Sequence, residues 1–372
     1  MALRINERLE KTIWWTNYYY VLAMGLMPGL YNKSDRKLQY SKPYIIYSAV
    51  IQCFFLLITP LATPFVLNEE AQEEYYMYGK FILKWTYYIG KMARILVNIV
   101  MCIEIWLRRE QVIELSENYW KFEKKYRQFY KHHDMQQYME AEVTSVRTKT
   151  IYKFCVGHGN AILVFSLFIQ IQNEPSKAYV LMIIVNLLQS YYLLHANFTF
   201  DLILFRMYLH FVYIIKSLQH IVSHKSPTQN PDDIFWRYWI LYDMHFECYQ
   251  LSKRILKICQ NITFFMLIKI FTTNIVLLYH AVQFINGTIE ADNTKDFMGT
   301  MSIVGFYWDT TLTMMAIDGI LSSCNETSEI LKLYANEEHI EHHHGQLQQQ
   351  QRQSPFSKMA SLNAILINYS SD

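Results

Sequence analysis

Two histidine spacings in this chain are those of iron ligands. His339-Ile340-Glu341-His342-His343 has the HxxHH spacing by which membrane-bound di-iron desaturases hold iron, and His220 and His224 frame a second spacing, HIVSH, upstream. Such enzymes need a further cluster between these two. Here the only other adjacent pair, His132-His133, comes before both and lacks the spacing. After His344 the tail turns Gln-rich, and low-complexity sequence does not supply the supporting hydrogen bonds that orient metal ligands. The residues therefore argue for no metal centre, no cofactor and no catalytic group, with a histidine-cluster iron enzyme kept as the alternative.

A second set of reactive side chains lies inside apolar sequence. Lys80, Lys84 and Lys91 fall on one helical face, which Arg94 and Asn98 extend. Gln189, His195, Asn197 and Asp201 follow in a later apolar run, then Lys269 and Asn274, then Asp309 and Asp318. A charge near mid-bilayer costs a few kcal/mol on insertion scales, about 3, so such residues face protein or water. One reading is an aqueous cavity or ion route; the other is helices held together by interhelical hydrogen bonds, with Lys80 and Lys84 reaching the outer interface. We expect Asp309 in the outer half of its span, paired with Lys84 or Lys91, and an intramembrane polar network of Lys91, Arg94, Asn98, His195, Asp201, Lys269 and Asp318.

The elements that carry these groups follow from composition. Of 372 residues, 52% are hydrophobic and only 18% charged, against about a quarter charged in soluble domains. Tyr outnumbers even Phe, as suits membrane interfaces. The net charge of +2 implies no nucleic-acid surface. The fold class expected is all-α: a polytopic helical membrane protein. Six stretches reach the roughly 20 mostly apolar residues a span requires: 44–66, 76–107, 154–171, 178–205, 258–285 and 297–321. Lys and Arg crowd the segment before the first span and the loops 108–153 and 206–257, while "NEEAQEEYY" from Asn68 and the 286–296 link are acidic. Basic loops stay inside, so the N-terminus is cytoplasmic.

Residues 1–43 are then a cytoplasmic N-terminus with a surface helix, without a cleavable signal, because Trp14, Trp15, Tyr18, Tyr19 and Tyr20 stud its apolar run. Apolar residues at helical spacing in 108–153 and 206–257 predict amphipathic cytoplasmic helices that extend the spans into an intracellular packing domain, broken by "SHKSPTQNPDD" from Ser223. Residues 322–372 form a His/Gln-rich cytoplasmic tail. The six cysteines read as reduced thiols. Asn286-Gly287-Thr288 is the glycosylation sequon best placed outside.

The organisation resembles the insect gustatory receptors, a branch of the insect chemoreceptor superfamily. The features that carry the likeness are "GLMPGLYNKSDRKL" from Gly25, "YSAV" from Tyr47, "RREQVIELSENYWKFEKKY" from Arg108 and "CNETSEILKLY" from Cys324, across residues 12–334. The resemblance implies a ligand-gated cation channel that detects small-molecule tastants, assembled as a homo- or hetero-tetramer with related subunits in the lipid of a sensory neuron's plasma membrane. It also implies an outward-opening ligand pocket, which by position would be lined by Lys84, Tyr87, Tyr88, Gln189, Tyr192, Tyr279, Trp308 and Asp309. The family's seventh helix with its TY…QF signature has no counterpart after Leu321, so a non-conducting, truncated subunit is a further alternative.

Overall fold

The computed structural model describes residues 2–32, 37–66, 81–131, 135–170, 177–223, 231–286 and 293–346. Among them are eight helices, α1 (Ala2–Ala23), α2 (Lys42–Val66), α3 (Phe81–Leu107), α4 (Arg109–Lys131), α5 (Met135–Gln170), α6 (Lys177–Ser223), α7 (Pro231–Ile285) and α8 (Asn293–Gln346). Each of the six expected spans falls within a helix, save 76–80 and 171, which lie outside the described residues. Among the described residues, two helical stretches are long and apolar enough to cross a membrane by length and composition, Leu187–Ile221 and Trp236–Ile275. The outer faces of α3 and α7 bear large apolar side chains, among them Trp85, Ile89, Met92, Phe264, Phe271 and Leu278. Side chains of this kind are stable at a surface only against lipid or another apolar face.

Helix continues through the stretches where extensions of the spans were expected. α6 continues to Ser223, α7 starts afresh at Pro231, and proline suits the first helical turn because its missing N–H has no partner there. The largest core packs at this end, with Phe122 and Tyr126 of α4, Phe211, Ile214 and Leu218 of α6, Leu241, Met244 and Cys248 of α7 and Leu331 of α8 all buried. Polar ties frame it. Tyr238 donates to the Leu331 carbonyl at 2.8 Å, and Lys125 bridges Asp243 (2.6 Å) and Glu247 (2.5 Å). Burial pushes the Tyr126 hydroxyl well above its ordinary range, so it stays protonated and donates to Asp243 at 2.9 Å.

The N-terminal segment departs from a plain surface helix. α1 packs against α5 and α6 through Ile13, Asn17 and Val21, buried one turn apart. Gly25 ends it at φ 68°, a left-handed conformation that favours glycine. There follows a feature the sequence reading lacks, a short antiparallel hairpin of β1 (Leu30–Asn32) and β2 (Lys37–Gln39), in the register Leu30 with Gln39, Tyr31 with Leu38 and Asn32 with Lys37. At the other end α8 continues past residue 322, where the His/Gln-rich tail was expected to begin. It runs unbroken to Gln346, through the histidine stretch. All six cysteines are free thiols.

Candidate functional site

Three helices meet at one lysine. Lys153 of α5 is 2% exposed, and its ammonium donates to the Asp309 carbonyl of α8 at 2.7 Å and to Thr313 Oγ1 at 2.7 Å. The same nitrogen pairs with the Asp309 carboxylate at 2.8 Å and with Asp201 of α6 at 3.3 Å. Asp201 is fully buried, whereas the Asp309 side chain keeps 23% of its surface. A buried ion pair is stable only when the remaining hydrogen-bonding capacity is met. Thr313, which also approaches Asp201 Oδ2 at 3.4 Å, serves that need.

Neighbouring contacts show that these residues share one level. Gly157 faces Leu194, Phe154 stacks edge-on with Phe198, and Gly305 faces Asn160. At ~1.5 Å per residue, Asp309 lies about 24 Å along α8 from Asn293. Among the described residues its ionic partner is Lys153, which the sequence reading placed within a basic loop. The side chains of Lys84 and Lys91, the partners expected, lie outside the described residues.

α3 and α7 run antiparallel, as two contacts show: Asn261 donates to Glu104 at 2.5 Å and Arg108 donates to the Lys257 carbonyl at 2.6 Å. That register brings Arg94 and Lys269 to similar depth. Arg94 donates to Ser190 Oγ at 3.3 Å. Lys269 is half-buried. Asn98, one turn along α3 from Arg94, is 6% exposed and neither its amide nitrogen nor its oxygen has a partner in the protein. Asn160 Oδ1, Asn274 Oδ1 and Ser302 Oγ are in the same condition. A buried polar group without a protein partner points to solvent or a ligand.

The remaining candidates separate. Gln189 is buried at this level of α6, Tyr88 and Tyr279 are half-buried, and the side chains of Tyr87, Lys84 and Lys91 lie outside the described residues. Tyr192 is sealed in the core at 1% exposure, its hydroxyl 3.0 Å from Cys102 Sγ and its ring on Phe55. Trp308 turns to the outer surface at 54% exposure, a helical step of about 100° away from Asp309. Asp318 is exposed rather than part of an interior network, because it falls on the opposite side of α8 from buried Ala316 and Ile320. Asn286 is exposed at the turn closing α7; the rest of its sequon lies outside the described residues.

His195 makes its polar contacts with α1. Its Nδ1 meets Asn17 Oδ1 of α1 at 2.8 Å, Asn17 Nδ2 donates to Thr199 at 2.9 Å, and Tyr20 stacks on the imidazole at 3.8 Å. The histidine therefore clamps α1 to the bundle. Glu10 adds a second clamp by pairing with Arg147 at 2.9 Å. Of the histidine spacings, His220 packs its ring against Tyr138, while His224 and the side chains of His339, His342 and His343 lie outside the described residues. Among the described residues no group of three or more His, Cys, Asp or Glu side chains is placed to hold a metal ion.

Lys153, Thr313, Asn160 and Asn17 escaped the sequence reading. Only Lys153 left a signal, as a lysine one residue from the start of an apolar run.

Comparison with known proteins adds a sequence argument to this geometry. A family model described as 7tm Chemosensory receptor matches residues 16–353. "Putative gustatory receptor 58a" of Drosophila melanogaster is 23% identical over 325 residues, covering 82% of this chain and 78% of that one. "Putative gustatory receptor 58b" of the same organism is 24% identical over 325 residues, covering 85% and 76%. The family match continues past residue 334, through the histidine stretch of α8.

Proposed function

Because this chain belongs to the 7tm chemosensory receptor family, a family of membrane proteins, we propose that it is a gustatory receptor subunit that binds small-molecule tastants within its helical bundle and gates a cation current. The observation that carries the reading is the set of buried polar side chains within the helical bundle, the Lys153, Asp201 and Asp309 group and Asn98, whose amide atoms both lack a partner in the protein. A cavity with a few convergent polar groups among apolar walls is the usual form of a small-molecule site.

The site is reached from outside, six of the eight helices cross the membrane, and α4 with the lower halves of α5, α6 and α7 forms the cytoplasmic domain. The relatives are gustatory receptors by their names, which supports a location in the plasma membrane of sensory neurons. Ligand acts by binding one of two conformations more tightly. The subunit works in a tetramer with related receptor subunits.

The test is electrical. The full chain, alone and with related receptor subunits, is expressed in oocytes, surface delivery is verified by biotinylation, and a tastant panel is applied. Ligand-evoked cation current is expected in at least one combination. Surface-delivered chain that yields no current in any combination refutes the channel reading.

A further inference from the structure

Away from the Lys153 group, a buried arginine stands where α3 passes into α4. Arg109 opens α4 and is only 5% exposed. Its Nη2 donates to Ser48 Oγ of α2 at 3.0 Å, and Ser48 in turn donates to the Gly25 carbonyl at 2.6 Å. Gln52, one turn further along α2, donates to the same carbonyl at 2.7 Å. These contacts fix the guanidinium in a polar niche between α2, the Gly25 turn and the α3–α4 junction. The chain does not fill that niche: Arg109 Nε and Nη1 and Gln52 Oε1 are buried with no hydrogen-bond partner in the protein. Two acids near it in sequence bond other arginines, Glu104 to Arg108 at 2.5 Å and Glu114 to Arg254 at 3.4 Å.

Arginine does not give up its proton, so the buried charge persists and calls for an acceptor. Trp106 lies over the guanidinium at 4.1 Å and offsets part of the charge through its ring face. A ring stacked above the guanidinium plane accepts none of the N–H groups, which point outward within that plane. Water would accept them but leave the charge uncompensated, whereas an oxyanion does both. The cover over the niche is thin. Trp106 is itself 38% exposed, and Ile103 and Leu107 on α3 and Tyr47 on α2 turn large apolar side chains outward beside it. In the topology proposed above, α2 enters and α3 leaves the membrane on the cytoplasmic side. That puts the niche at the level of the lipid headgroups, with apolar surface next to it for acyl chains.

Resting on that membrane reading, we propose that Arg109 anchors a phosphate site at the inner membrane face, filled by the headgroup of an anionic phospholipid. Trp106 swings aside to admit it, and Nε and Nη1 donate to the phosphate oxygens. Ser48 keeps the guanidinium in place through Nη2. The bound lipid thereby ties α2, the Gly25 turn and the start of α4 together at the point where the bundle meets the cytoplasm.

The test uses the full chain in nanodiscs of phosphatidylcholine, with and without a minor fraction of phosphatidylserine, and counts retained lipid by native mass spectrometry. A retained phosphatidylserine is expected on each chain. Arg109→Gln should weaken that retention about tenfold, the order a charge-assisted hydrogen bond supplies. Arg109→Lys should keep part of it, and Arg254→Gln, at an arginine 56% exposed, should leave it unchanged. Hydrogen exchange on the unaltered chain needs no variant: phosphatidylserine should slow exchange over 45–52 and 106–113, and inorganic phosphate should not. Should Arg109→Gln fail to fold, the exchange comparison decides alone. Retention that survives Arg109→Gln overturns the site, and so does exchange that phosphatidylserine leaves unchanged in both segments. Inorganic phosphate that slows exchange as well as the lipid does overturns the lipid as its occupant. The receptor reading is judged separately, by ligand-evoked current.

Discussion

Removing Lys153 tests whether the three-helix tie stabilises the bundle. Lys153→Met keeps most of the aliphatic stem and deletes the ammonium, and with it the bonds to the Asp309 carbonyl and Thr313, both at 2.7 Å, and the pairings with Asp309 and Asp201. Asp201, with no exposed surface, is left charged, with Thr313 at 3.4 Å as its remaining donor. Breaking a buried pair by deleting one partner costs about 3–5 kcal/mol, chiefly from the stranded charge. If that is the origin of the loss, neutralising the charge should recover much of it. Lys153→Met combined with Asp201→Asn is expected to lose only about 1–2 kcal/mol, because a buried pair replaced by neutral groups of similar volume is often close to neutral. The coupling between the two substitutions would then exceed about 2 kcal/mol. Unfolding of the full chain in mixed micelles by increasing SDS, followed by tryptophan fluorescence, measures each variant. Losses that simply add in the double variant, or a single variant as stable as the parent, would refute the reasoning.

Asn17→Ala should release α1: it removes the bonds to His195 and Thr199 and costs about 1–3 kcal/mol, read as faster amide hydrogen exchange over 13–23. Unchanged exchange would mean that apolar packing alone holds the helix. Gly25→Ala forces a Cβ into left-handed backbone at 3.1 Å from Ser48 Cα and should cost about 1–2 kcal/mol in the same SDS titration. Lys125→Gln gives a contrasting case. Its ion pairs with Asp243 and Glu247 are roughly half exposed, so the loss should stay below about 1 kcal/mol and shrink further in high salt.

Much of the architecture is legible in the residues. The helical positions follow from local periodicity, which needs no knowledge of partners. The site is less legible. Counting Lys and Arg in loops orients a chain, but it cannot tell which lysine turns inward. Lys153 therefore looked like one more basic loop residue until α6 and α8 were seen to supply its carboxylates. Trp308 and Asp318 are matters of helical phase: each lies within a few residues of an interior position, yet a rotation of one or two residues carries it to the surface. The Asn17–His195 contact joins positions far apart in sequence and leaves no periodic trace. The hairpin after Gly25 is short, and its strands lack the alternation that marks longer ones.

The continuity of α8 has a mechanical consequence. Between Asp309 and Gln346 the helix has no interruption, and at ~1.5 Å per residue that arm is about 55 Å long. A rigid arm of this length pivoting at the Lys153 tie would turn a tilt of about 5° into a sweep of about 5 Å at its far end, roughly one helical turn. A change at the Lys153 tie too small to alter any single contact by much could thus arrive at the far end of α8 as a displacement large enough to exchange one packing arrangement for another.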